Sequence, residues 1–405
     1  MPRTPLILAA LILCAPLTLA QDAPTTPAPP PPERRQRPAP PPADVAPPGP
    51  DIDTAIPECI KALLNMQESL DKDAPLAEWP YEGVYRVQGQ IPIGYRVGGT
   101  AITATALLRA PGYADDPDRH AAVDRAVAFV CSAIDHPLMS IDDYDAGYDV
   151  RGWGYCYALQ FLCELKAANA VPENRRDAFD KAVAFYLKGL QATEIPQSGG
   201  WNYARPPGRD TVANASSFMT PAALQALFLA KAQGYPVDEA VVNRAIDALE
   251  RCRTASSAFS YSGDGDKVRR EGIPGAVGRM VISETTLMLA GRSDAGKVRG
   301  SLDAFITHWD WLDKRRAKPG THVPPYGVAP YYFYFAHYYA AQAVEMLPER
   351  ERDEYRRRIN TLLFSVRLDD GTWNDRVFPR SANFGTSMAL MAIVMPTTPP
   401  PPAWN

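Results

Sequence analysis

Leu187–Tyr203, LKGLQATEIPQSGGWNY, closes a helical pattern and turns through two glycines into a tryptophan. Upstream of it, Phe179, Ala182, Val183, Tyr186, Leu187 and Leu190 recur at helical spacing, with Arg, Asp and Lys between them. That spacing predicts an amphipathic helix burying a single stripe. Downstream, Ala215–Tyr235 (ASSFMTPAALQALFLAKAQGY) is apolar or small nearly all round. Such a helix must be covered on several sides.

The alternation repeats along the chain. One-faced helices are expected to begin near Ile52, Arg119, Arg175, Asp238, Val298 and Arg350. All-round apolar helices are expected near Gly98, Gly152, Ala213, Gly275, Val328 and Ser381. No stretch sustains a period of two, so strands should be minor. Six buried helices alternating with six one-faced helices predict an all-α, single-domain (α/α)6 toroid, an inner ring inside an outer one. An open solenoid has the same period and differs only in not closing. Aromatic residues return at the outer-to-inner turns: Trp79 in LAEWPY, Trp201 in SGGWNY, Phe259 in SAFSYSG and Trp373 in DDGTWND. Their first expected role is packing, a ring wedged between two helices.

The ends of the chain have a different character. Residues 1–20 carry one Arg, an apolar run and a small residue before Gln21, the layout of a cleaved export signal. Residues 21–50 are rich in proline, which fixes φ and removes amide donors, so a tether is expected. The domain then spans 51–395, and 396–405 reads as a Pro-rich tail. After cleavage no segment is apolar and long enough to span a membrane. A net charge of −4 gives no reason to expect nucleic acid. Cys59, Cys131, Cys156, Cys163 and Cys252 are odd in number and irregularly spaced, which is no disulfide framework. Buried thiols are expected, with one bridge between neighbouring helices left open. Localisation is read as periplasmic or extracellular.

The quoted segment and Leu362–Asp375 (LLFSVRLDDGTWND) resemble the helix-Q-x-x-x-G-x-W repeat of the squalene cyclase and protein prenyltransferase superfamily. The last repeat has Arg367 where that pattern has glutamine, and the first keeps Gln67 and Trp79 around a longer insertion. The resemblance implies a toroid whose central cavity takes an isoprenoid. It does not extend to the chemistry: neither a D-x-D-D acid nor an Asp-x-Cys…His zinc set is found, and no metal or cofactor is expected.

Candidate site residues follow from the expected topology. All six long loops run from an outer to an inner helix and should emerge on one face, where binding residues gather. Tyr81, Tyr85, Tyr95, Tyr148, Tyr203, Tyr326 and Tyr331 lie there, with Trp153 and many aspartates, Asp375 among them. Arg96, Arg151 and Arg279 stand at inner-helix starts, where they could hold an anionic headgroup or simply pair with loop carboxylates. Asp142 and Asp143 in IDDYDAGYD are the candidate carboxylate pair for glycan cleavage, with calcium or solvent as the plainer alternative. Glu284 and His337 are the polar residues expected in the bore, as proton donors or as structural groups. His322 is a lesser candidate at the mouth. These features support an apolar or amphipathic ligand, possibly isoprenoid, in a central cavity. A polysaccharide-active hydrolase or lyase and a non-catalytic envelope scaffold are the alternatives.

Overall fold

The computed structural model describes residues 51–70, 76–142, 150–203, 211–265 and 272–405. The expected signal and tether therefore lie outside the described residues, as do Asp143 and Tyr148. Among the described residues, twelve α-helices alternate outer and inner. The outer set is α1 Ile52–Asn65, α3 Pro117–Ser132, α5 Arg176–Ala192, α7 Glu239–Arg251, α9 Ala295–Asp313 and α11 Glu349–Phe364. The inner set is α2 Ile93–Arg109, α4 Arg151–Ala167, α6 Thr220–Ala232, α8 Ile273–Leu289, α10 Tyr332–Glu345 and α12 Ala382–Ile393. Strand structure among the described residues is one antiparallel pair, Glu68–Ser69 with Ala77–Glu78.

The ring closes. Helix α12 packs on α2, where Ser387 Oγ donates to Thr103 Oγ1 at 3.0 Å and Asn383 Nδ2 donates to Pro80 O at 3.0 Å. Burial explains the two helix compositions. In α10 every residue from Tyr332 to Val344 is buried, whereas α11 buries only Tyr355, Ile359 and Leu363.

The recurring tryptophan is a structural pin with two hydrogen bonds. Each indole N–H donates to a carbonyl late in the preceding outer helix: Trp79 to Leu63 O at 2.7 Å, Trp201 to Leu190 O at 2.8 Å and Trp373 to Leu363 O at 2.9 Å. These oxygens sit at helix C-termini, where intrahelical donors run out. Each tryptophan also donates its backbone N–H to a threonine of the following inner helix, Thr100, Thr220 or Thr386, at 2.9–3.1 Å. Gly385 precedes one of these threonines, and a Cβ there would strike the Trp373 carbonyl. Phe259 lacks the N–H; in that repeat Arg253 instead clamps Glu284 across the layers. Replacing Thr220 by the isosteric valine should therefore cost about 1–3 kcal/mol in urea denaturation, because the buried Trp201 N–H loses its acceptor, while the Trp201 C=O keeps the bond from Ser216 N–H.

The boundary expected at Ala213 falls instead at Thr220. The stretch before it is kept out of the helix by loop bonds and ends in a turn: Ser216 N–H donates to Trp201 O at 2.8 Å and Ser217 Oγ to Ser260 O at 2.5 Å. The C-terminal segment does not trail away. Trp404 N–H donates to Leu289 O at 2.9 Å, and its indole lies on Phe228 with ring centroids 5.4 Å apart. All five described cysteines are free and buried, so no disulfide forms among the described residues. None of the described helices is long and apolar enough to cross a membrane.

Candidate functional site

The inner helices all start on the face where the long loops gather. There Tyr81, Tyr85, Tyr95, Trp153, Tyr203 and Tyr331, all expected at the mouth from the sequence, meet Tyr157 around a small cavity. The rings hold one another: Tyr203 stacks on Tyr331 with centroids 6.3 Å apart, and Tyr95 meets Trp153 edge-on at 5.6 Å. Gly98 of α2 gives the Trp153 ring its seat, since any Cβ there would occupy it. Tyr203 and Tyr95 join hydroxyl to hydroxyl, and burial raises both phenols far above their ordinary range. The cavity left between the rings is about 10 Å³, room for one water. The large apolar side chains exposed on the described chain, Leu70, Leu138, Val212, Leu368 and Val377, also all lie in outer-to-inner loops.

Arg376 is the one cation among the described residues that line this cavity. Its Nε donates to Tyr81 OH at 3.3 Å and its Nη1 to Gly320 O at 3.0 Å, while the guanidinium lies 5.6 Å from the Tyr331 ring centre. His322 joins the same group: one ring nitrogen is 2.9 Å from Tyr331 OH and the other 2.7 Å from Gly327 O. Tyr331 OH in turn donates toward Tyr261 OH at 3.4 Å.

Asp375 stands behind Arg376 and is the unusual group. It is fully buried, and neither carboxylate oxygen has a hydrogen-bond partner. Burial pushes its pKa up to about 7, against the pull of the nearby Arg376 charge and of its own backbone N–H. Most buried polar groups are satisfied, so an unsatisfied carboxyl calls for a function or an unplaced partner. Its loop is otherwise well fixed: Arg376 N–H and Ser381 Oγ donate to Asn374 Oδ1 at 2.9 and 3.0 Å.

The other candidates are placed elsewhere. Glu284 does not face the bore; its carboxylate takes two bonds from Arg253 at 2.9 Å and one from Ser293 Oγ at 2.5 Å, between the helix layers. His337 likewise points outward, donating from Nδ1 to Phe333 O at 2.8 Å and accepting at Nε2 from the Trp309 indole at 2.9 Å. Both nitrogens are used, so the ring is structural glue. Arg96 forks onto Glu78 with three bonds of 2.8–3.0 Å. Arg151 donates to Ser140 O, and Arg279 to Gly275 O and Phe259 O, so both serve to fix loops. Tyr326 packs edge-on against Trp311 at 4.7 Å, away from the cavity. Asp142 is exposed. Among the described residues no group of three or more His, Cys, Asp and Glu is arranged to hold a metal.

Burial lowers the His337 pKa from 6.5 to about 4. The unfolded chain then binds the proton more readily, so stability is full above about pH 6.5 and falls as pH drops toward 4. The expected loss is roughly 3 kcal/mol. His337→Phe should flatten that part of the pH–stability curve, as followed by urea midpoints between pH 4 and 7.

No family model matches the chain, and no curated protein matches its sequence. Solved structures do. The GH76A alpha-1,6-mannanase of Salegentibacter sp. HEL1_6 aligns over 85% of this chain and 99% of its own, at 11% identity and TM-score 0.54. An unsaturated glucuronyl hydrolase of Streptococcus agalactiae aligns over 86% and 92%, at 12% identity and TM-score 0.54. The Hormoconis resinae glucoamylase aligns over 87% and 74%, at 12% identity and TM-score 0.50. The chain is an α/α toroid. At such identities the toroid is what these proteins share, and the site must be argued from its own residues.

Proposed function

We propose that the protein cleaves glycosidic bonds at the tyrosine-lined mouth, with Asp375 as the source of the proton. The observation that carries this is a fully buried carboxyl with no side-chain hydrogen-bond partner, next in sequence to the cavity-lining Arg376, whose pKa burial raises to about 7. An acid that still holds its proton near pH 7 is what a leaving glycosidic oxygen needs. The C–O bond breaks, the oxygen takes that proton, and water supplies hydroxide to the anomeric carbon and restores the proton. Of the tyrosines lining the cavity, Tyr85 and Tyr331 are only half-buried, and such ring faces suit the flat C–H surfaces of sugar rings, while the charge of Arg376 behind them favours a sugar bearing a carboxylate. Mannanase and hydrolase neighbours agree with a glycan substrate at the level of the fold.

The isoprenoid reading that follows from the repeat has less support. Its ligand needs a long apolar bore, and the bore is crossed by side chains from helices that are not neighbours. Arg109 of α2 reaches Tyr338 OH of α10 at 3.0 Å, and Gln225 of α6 reaches Gln342 of α10 at 2.9 Å. Export follows from the residues 1–20 signal as read in the sequence; secreted protein whose first residue is Gln21 would support it.

The test is release of reducing ends from neutral and uronate-containing polysaccharides. The wild type should be active on at least one uronate polymer, and Asp375→Asn should lose at least about 100-fold. Equal rates for the two proteins would remove Asp375 from the reaction. Wild-type inactivity on every polymer, with retained isoprenoid in organic extracts, would return the isoprenoid reading.

A further inference from the structure

The far end of the ring has a pocket of its own. About 350 Å³ lies among the C-terminal ends of the inner helices, under the strap Thr397–Pro402. Leu108, Leu229 and the strap prolines make its apolar wall. Its polar groups are already paired with one another. Arg109 forks onto Glu164 at 2.6 and 2.7 Å, and Gln225 and Gln342 exchange bonds of 2.9 and 3.0 Å. Beyond the pocket the strap is held at its end, where Trp404 N–H donates to Leu289 O and its indole lies against Phe228 and the Lys231 ammonium, the latter 4.1 Å from its ring centre. Lys231 Nζ also donates to Asn405 O at 2.6 Å.

We propose that this pocket is a second binding site, for a small uncharged amphipathic molecule, closed by the C-terminal strap. Volume and lining match a site for a compact organic ligand. The charge follows from the pairing. A charged ligand would give up its water and find no free counter-charge, because Arg109 and Glu164 neutralise each other. An uncharged ligand can lay an apolar body on the prolines and share hydrogen bonds with the glutamine amides. The site lies at the opposite ends of the inner helices from Asp375, so it stands or falls independently of the proposed glycan chemistry.

The test uses the whole protein and Prodan, an uncharged fluorescent amphiphile. Saturable binding of one Prodan per chain is expected, with slowed amide exchange at Thr397, Thr398, Ala403, Trp404 and Asn405, the strap residues that carry an amide hydrogen. Leu229→Trp and Ala168→Trp fill the pocket from two different helices, and each should weaken binding at least tenfold. Circular dichroism shows which variants are folded, and either folded variant suffices. Trp404→Ala should speed both association and release, since the strap loses its anchor. Absence of saturable binding, or affinity unchanged in a folded filling variant, would overturn the proposal. Equal binding by an anionic dye of similar size would overturn the charge argument.

Discussion

Asp375→Asn is expected to make the protein more stable as the pH rises, while removing its activity. The wild-type carboxyl has a pKa of about 7 when folded and 3.8 in its unperturbed state. Between those values the folded chain holds a proton that the unfolded chain releases, so wild-type stability falls as pH climbs through the window. Asparagine does not titrate. The variant should therefore gain on the wild type by roughly 4 kcal/mol between pH 4 and pH 8, read as the change in the difference of unfolding free energies. Comparing the change, not the value at one pH, cancels whatever the buried amide itself costs. A constant difference across the range would mean that Asp375 is solvated or paired when folded. A functional group that lowers stability where it works is a common trade.

Arg109→Ala should be the most damaging single substitution at the other end. Its guanidinium joins three inner helices, through Glu164 on α4 and Tyr338 on α10, and the pair is only 14% and 13% exposed. Removing one partner leaves the other charge buried and alone, at a cost of about 3–5 kcal/mol. The double variant Arg109→Met, Glu164→Met should recover most of that, since no charge is then stranded. Urea denaturation of the wild type, Arg109→Met, Glu164→Met and the double variant gives the coupling directly. A loss below about 1 kcal/mol for Arg109→Ala would mean that water reaches the pair.

The architecture was legible because burial leaves a periodic trace. Helices covered on one side and helices covered all round have different compositions, and the pattern Phe179, Ala182, Val183, Tyr186 needs no tertiary information to be seen. Ring closure was a matter of count and length, and the α12–α2 contact bears it out. The start of α6 was misplaced because residues such as Ser216 and Ser217 trade helix for bonds to distant carbonyls, which composition does not encode.

The site was only half legible. Aromatic loop residues gave the mouth, and Trp153, Tyr203 and Tyr331 meet there. Direction around a fully buried helix did not. Glu284 and His337 lie on helices buried all round, where either side is equally apolar, and their partners Arg253 and Trp309 are about 30 residues away in sequence. Arg376 passed unnoticed beside the tryptophan motif, and Asp375 was one loop aspartate among many. The usable signal was its position: two residues after a pinned tryptophan, a carboxylate has little chance of reaching water.

The most direct measurement is the carboxylic acid C=O stretch of Asp375, taken as the infrared difference between wild type and Asp375→Asn across pH 4 to 9. A band that persists to neutrality and disappears with a midpoint near 7 is the predicted result. A band already gone by pH 5 would show an ordinary ionised aspartate and contradict the proposed proton donor.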